Sequence, residues 1–163
     1  MKNTVLKTIV GMVLTLVLLA TFAPARKALS QQDGGGRLDG TWEVQLQRRN
    51  CQTGVPLGAP IAELATFMFG GTMIDSTAGV SQALKTPAQG IWSHISGNSY
   101  SFSAKSLNFD SAGNFSGWSR FAQDITLNPD ATEYTSEGTV EVFTASGVSV
   151  FKGCSTTTAT RLE

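Results

Sequence analysis

The sequence predicts an all-β fold, a single eight-stranded antiparallel up-and-down β-barrel behind an N-terminal export signal. Three observations predict it. From Asp39 onward no helix-length window carries an apolar stripe of helical period. In the same stretch β-branched and aromatic residues recur between clusters of Gly, Asn, Asp and Pro. The segments bounded in this way follow one another at hairpin spacing. At 163 residues the chain is long enough for one domain with a sizeable core.

The first segment has to be set aside before the fold is read. Lys2 and Lys7 form a short basic start, and Thr8 to Ala23 then run without a charge. As a helix that run would rise about 24 Å, short of the ~30 Å hydrocarbon core, so it reads as a secretory signal and no membrane span is expected in the mature form. Ala23-Pro24-Ala25 supplies the small residues a signal peptidase reads, and Ala28-Leu29-Ser30 is a second exit. The expected organisation is a signal peptide over 1–25, a flexible leader over 26–38 with the Gly34–Gly36 triplet, and the barrel over 39–163. Removing the signal takes two lysines and no acid, which leaves the mature domain faintly acidic. The expected location is periplasmic or extracellular.

The strands are expected at 41–49, 63–69, 72–76, 88–95, 98–109, 114–127, 131–145 and 148–161. The first leads into a long connection, Asn50 to Ala62, carrying Pro56 and Pro60. Gly70-Gly71 supplies the positive φ angles of a tight turn between the second and third. A second long connection, Thr77 to Pro87, precedes the fourth. The later turns are marked by Ser96-Gly97-Asn98, Asp110 to Asn114, Asn128-Pro129-Asp130 and Ser146-Gly147. Asn114-Phe115-Ser116 matches a glycosylation acceptor, but it lies in one of these turns, where Asn is favoured anyway.

Two strands show their faces. Glu133, Thr135, Glu137, Thr139 and Glu141 alternate with Tyr134, Ser136, Gly138, Val140 and Val142, so the acids form a solvent-facing row, not a catalytic pair. Phe115, Phe121, Ile125 and Leu127 share one parity and are expected in the core, with Trp118, Arg120 and Asp124 on the other face.

A meander of this length can close by pairing its first and last strands, which removes both exposed edges. Partners in an antiparallel ladder have residue numbers of nearly constant sum. Trp42 with Arg161, and Cys51 with Cys154, imply first-to-last registers only two residues apart. An oxidising compartment favours a Cys51–Cys154 disulfide, although two cysteines in an exported domain usually pair whatever its topology.

Leu38-Asp39-Gly40-Thr41-Trp42 resembles the Gly-x-Trp start of the lipocalins and the wider calycin group. The resemblance implies a barrel whose Trp42 plugs one end beneath Arg161. More narrowly, Gly40-Thr41-Trp42, Arg49-Asn50-Cys51-Gln52-Thr53-Gly54, Phe67-x-x-Gly70-Gly71-Thr72, Gly90-Ile91-Trp92 and Gly153-Cys154 together look like small secreted bacterial β-barrel proteins. The Thr-Asp-Tyr-type turn and C-terminal helix of lipocalins have no counterpart, which weighs against a transport role. Avidins also begin with Gly-Thr-Trp, but their pocket resembles a cage of several tryptophans, and this chain has Trp42, Trp92 and Trp118 alone.

Composition narrows the chemistry. Twelve basic residues against twelve acidic ones leave no footprint for nucleic acid, and one histidine falls short of the three or four nitrogen or sulfur ligands a zinc site requires. No phosphate loop or nucleophile elbow occurs, and Asp110, Gly113 and Asn114 are too few donors for calcium. No cofactor is expected. A Ser-His-Asp triad would have to use His94 with Asp75 or Asp124, and nothing in the spacing selects a serine. Trp92 and His94 share one face, as do Tyr100 and Phe102 on the following strand, so these four are the candidate ligand-binding residues if they line a cavity instead of filling the barrel. The expected function is binding of a small, largely apolar ligand without catalysis. The alternatives are a barrel isomerase or cyclase resembling allene oxide cyclase in shape, and an envelope module using an outer patch around Trp118.

Overall fold

The computed structural model describes residues 37–163. The expected signal peptide over 1–25 and nearly all of the expected leader lie outside the described residues. Eight strands follow in chain order: β1 (Gly40–Arg49), β2 (Ile61–Met68), β3 (Thr72–Thr77), β4 (Ala88–Ser96), β5 (Ser99–Phe109), β6 (Phe115–Leu127), β7 (Glu133–Thr144) and β8 (Ser149–Arg161). Every boundary falls within two residues of its expected position. Each strand pairs antiparallel with its neighbours in sequence, and β8 returns to β1 to close the barrel.

The closing register is the one the end residues imply. Trp42 pairs with Arg161, and the ladder runs on to Arg49 opposite Cys154. Cys51 stands just past the end of β1 and bonds Cys154, with their Cα atoms 5.2 Å apart. The bond therefore pins the last turn of the seam between the chain's two ends.

Between the bulges side chains alternate between wall and interior, so parity decides what fills the barrel. One end is packed solid. Trp42, Phe67, Met73, Tyr100, Ile125 and Leu127 are almost inaccessible there. Trp42 meets Tyr134 edge-on at 4.9 Å, and Phe67 meets Trp92 at 6.1 Å. Burying each such side chain contributes on the order of 1.5–3 kcal/mol. The Arg161 guanidinium lies 4.2 Å over the Trp42 ring and donates to the carbonyls of Arg37, Asp39 and Ala131. Trp42 Nε1 donates to the Leu38 carbonyl at 3.0 Å. Leu38 is fully buried, so the fold takes in the chain before Asp39, one residue inside the expected leader.

Phe115 corrects the parity expectation, being 45% exposed. The β5–β6 register shifts between Asn108, opposite Gly117, and Phe109, opposite Phe115, so Ser116 is an extra residue and everything before it changes face. Gly117 makes the bulge possible: its φ is 146°, and a Cβ there would stand 1.9 Å from the Phe143 carbonyl oxygen. Beyond the bulge the expectation holds, with Ile125 and Leu127 buried, Phe121 packed against the core, and Arg120 and Asp124 outside. Glu133 and Glu137 face solvent as expected. Glu141, in the same row, pairs with Arg120 at 2.9 Å and Lys152 at 3.1 Å.

Candidate functional site

The end opposite the plug is hollow. A cavity of about 480 Å³ opens there, within the ~300–1,000 Å³ range of small-molecule sites. Leu46, Ile61, Val80, Leu84, Phe109, Val140 and Val142 give it largely apolar upper walls. Below it a small hollow of about 30 Å³, close to the volume of one water, reaches Asp75, Phe102, Gln123 and Tyr134. The two share Leu46, Glu63 and Phe121, so the well narrows downward onto a polar floor. A larger groove of about 680 Å³ runs along the outer wall past Glu43, Gln45 and Gln82, all exposed side chains, and is surface relief.

Two inward carboxylates stand at the floor. On β2 the inward parity runs Glu63, Ala65, Phe67, and on β3 it runs Met73, Asp75, Thr77. Ala65 pairs with Asp75 and Glu63 with Thr77, which makes the two acids diagonal neighbours across one ladder. Thr77 hydrogen-bonds Glu63, and the Ser76 backbone supports Asp75. Asp75 Oδ1 is buried and has no hydrogen-bond partner. Burial pushes the Glu63 carboxyl up to about 7, with the Asp75 charge adding to the effect. Burial likewise pushes Asp75 up to about 6, against the opposing pull of Lys85.

Lys85 comes from the long connection before β4. Its segment is stitched to the end of β5: Lys85 bridges to Asn108, and the Phe109 amide donates to the Leu84 carbonyl at 2.8 Å. The ammonium lies 4.6 Å from the Phe121 ring centroid, inside the well. Burial lowers its pKa, while Asp75 and Glu63 act to raise it. The opposite wall is polar and self-satisfied. Gln123 Nε2 donates to Ser155 Oγ at 2.9 Å, Ser136 Oγ donates to Gln123 Oε1 at 3.1 Å, and Ser136 and Thr157 share a hydrogen bond of 2.6 Å. Tyr134 is buried beside the two acids, and burial, with their charges, raises its pKa.

The four candidates from the sequence occupy adjoining places in the barrel. Trp92 and Tyr100 lie in the packed core with ring centroids 5.9 Å apart, and the His94 ring meets Tyr100 at a tilt, 4.9 Å away. His94 Nε2 also hydrogen-bonds the Gly97 carbonyl at 2.8 Å, while Asp75 sits in mid-barrel opposite Ala88 and Asp124 on the outer face. Phe102 is the one of the four that lines the internal hollow. Trp118, the centre of the outer-patch alternative, is half-buried between Lys105, 4.2 Å from its ring, and Phe143, stacked at 5.5 Å.

Sequence reasoning missed Glu63 and Lys85, and it named Asp75 only as a partner for His94. The signal was parity. Once Phe67 is placed inside, Glu63 must face the same way, four residues back along one strand. No family model matches the chain, and no curated protein matches it.

Proposed function

We propose that this protein is exported and binds a small ligand, apolar over most of its length, in the open well of the barrel. The observation that carries this reading is the well itself: apolar walls above, a polar floor below and a solid plug beyond. Export is supported by the signal pattern at the N-terminus and by the disulfide, which belongs to oxidising compartments. Titration with the neutral fluorescent apolar probe N-phenyl-1-naphthylamine tests the binding. Saturable binding is expected, lost when Val140→Trp fills the well. Absence of saturable binding, or equal binding by the filled variant, overturns the reading.

A second reading, proton-transfer isomerisation, draws on the carboxylate pair. One acid protonated and one ionised near neutral pH is the arrangement needed to give and take a proton. Incubating protein and co-purified ligand in heavy water separates the two readings, because isomerisation places deuterium on ligand carbon and simple binding does not.

A further inference from the structure

We propose that the inner end of the ligand is a nitrogen cation, so that the well takes amphiphilic amines in preference to alcohols or carboxylic acids. The inference rests on the ligand-binding reading and adds the chemistry of the group that reaches the floor.

Thr77 bonds Glu63 and the Ser76 backbone bonds Asp75, yet the two acids still offer more acceptor positions than these donors fill. A carboxylate is an acceptor only, and each of its oxygens can take two hydrogen bonds. Asp75 Oδ1 has no partner, although it is buried. Across the barrel Gln123, Ser136, Ser155 and Thr157 bond one another and give no hydrogen bond to it. Leaving a buried carboxylate oxygen unpartnered is costly, and a ligand N–H meets that need directly.

Charge gives the same answer. The ionisable groups facing the floor are Glu63 from β2, Asp75 from β3, Lys85 from the 78–87 connection and Tyr134 from β7. Arg48 from β1 stands at the exposed rim beside Gly58 and is screened by water. Lys85 sits over Phe121, and among the described residues the close ion pairs are those of Glu141 with Arg120 and Lys152. Lys85 thus offsets one carboxylate through space without occupying its hydrogen-bonding positions. With both acids ionised, one negative charge remains for a monocation. An anionic head group at the same place would face two acids against one lysine.

Isothermal titration of the disulfide-intact protein with octylammonium, octanol and octanoate tests the proposal. At about pH 8 octylammonium should bind about 10-fold or more tighter than octanol, the effect of one charge-assisted hydrogen bond, with octanoate weakest. In Glu63→Gln/Asp75→Asn that preference should fall below about 2-fold while octanol still binds. In the wild type it should also fall at about pH 5, where both acids are protonated. The proposal is overturned if octanol or octanoate matches the amine, or if the preference survives both the substitutions and acidification. If none of the three binds, the ligand-binding reading fails with it.

Discussion

Removing the Cys51–Cys154 bond should act mainly on the unfolded chain. The two residues are 103 apart in sequence, so the bond holds nearly the whole domain in one loop when it unfolds. Chain-entropy arithmetic for a loop of about 100 residues gives about 4.7 kcal/mol as the upper figure, with about 2 kcal/mol typical of the low end. The folded state changes little, because the β1–β8 ladder from Trp42–Arg161 to Arg49–Cys154 holds the same seam by backbone hydrogen bonds. For a domain of this size, at about 2.1 cal/mol/K of unfolding entropy per residue, the loss lowers Tm by about 8–18 °C. Calorimetry of Cys51→Ala/Cys154→Ala beside the oxidised wild type measures it, and reduced wild type should match the variant. Urea denaturation gives a second readout: m should rise in the variant, because its unfolded chain expands further. A fall in Tm below about 3 °C with m unchanged would show that the bond does not constrain the unfolded ensemble, and would refute the reasoning.

Two further outcomes follow from the ends of the barrel. Glu63 is raised from 4.5 to about 7 and Asp75 from 3.8 to about 6, so between about pH 4 and 7 the folded protein holds protons that the unfolded chain has released. Stability should therefore fall as pH rises through that window, and at about pH 8 Glu63→Gln should stabilise by up to about 3 kcal/mol while leaving stability at about pH 4 unchanged; urea titrations at the two pH values check this, and a flat profile in the wild type contradicts it. At the plug, Arg161→Lys keeps the charge but loses the fork that reaches three carbonyls, and should cost about 2–3 kcal/mol and shift tryptophan emission to the red as Trp42 gains water. Unchanged emission and stability would show that the guanidinium does not seal the plug.

The architecture was legible because its determinants are local. Gly70-Gly71, Asp110 to Asn114 and Ser146-Gly147 encode their own turns, and short turns force sequential strands to pair. The seam was legible because residues at both ends marked one register. Phe115 was misplaced because a bulge leaves little trace in hydrophobic parity beyond its glycine. The floor of the well was hidden for a different reason. On β2 the inward set is Ile61, Glu63, Ala65 and Phe67, and the outward set includes Leu64 and Met68, so alternation assigns no face. On β3 Ile74 points out and Asp75 in, against the usual rule. Patterns report the average tendency to bury apolar groups, and a cavity lined with acids departs from that average. Lys85 was harder still, since a residue in a long connection gains its direction only from the strand it is stitched to.

The plug beneath Trp42 turns the well into a cul-de-sac. If the well holds a ligand as proposed, a long, narrow guest would enter head first and leave tail first, its orientation chosen at the mouth and not corrected deeper down. Water displaced from the floor would have to leave past the incoming molecule, which would tie the speed of loading to the width of the upper walls. On the proposed reading, a guest longer than the well would leave its tail outside, exposed at the mouth.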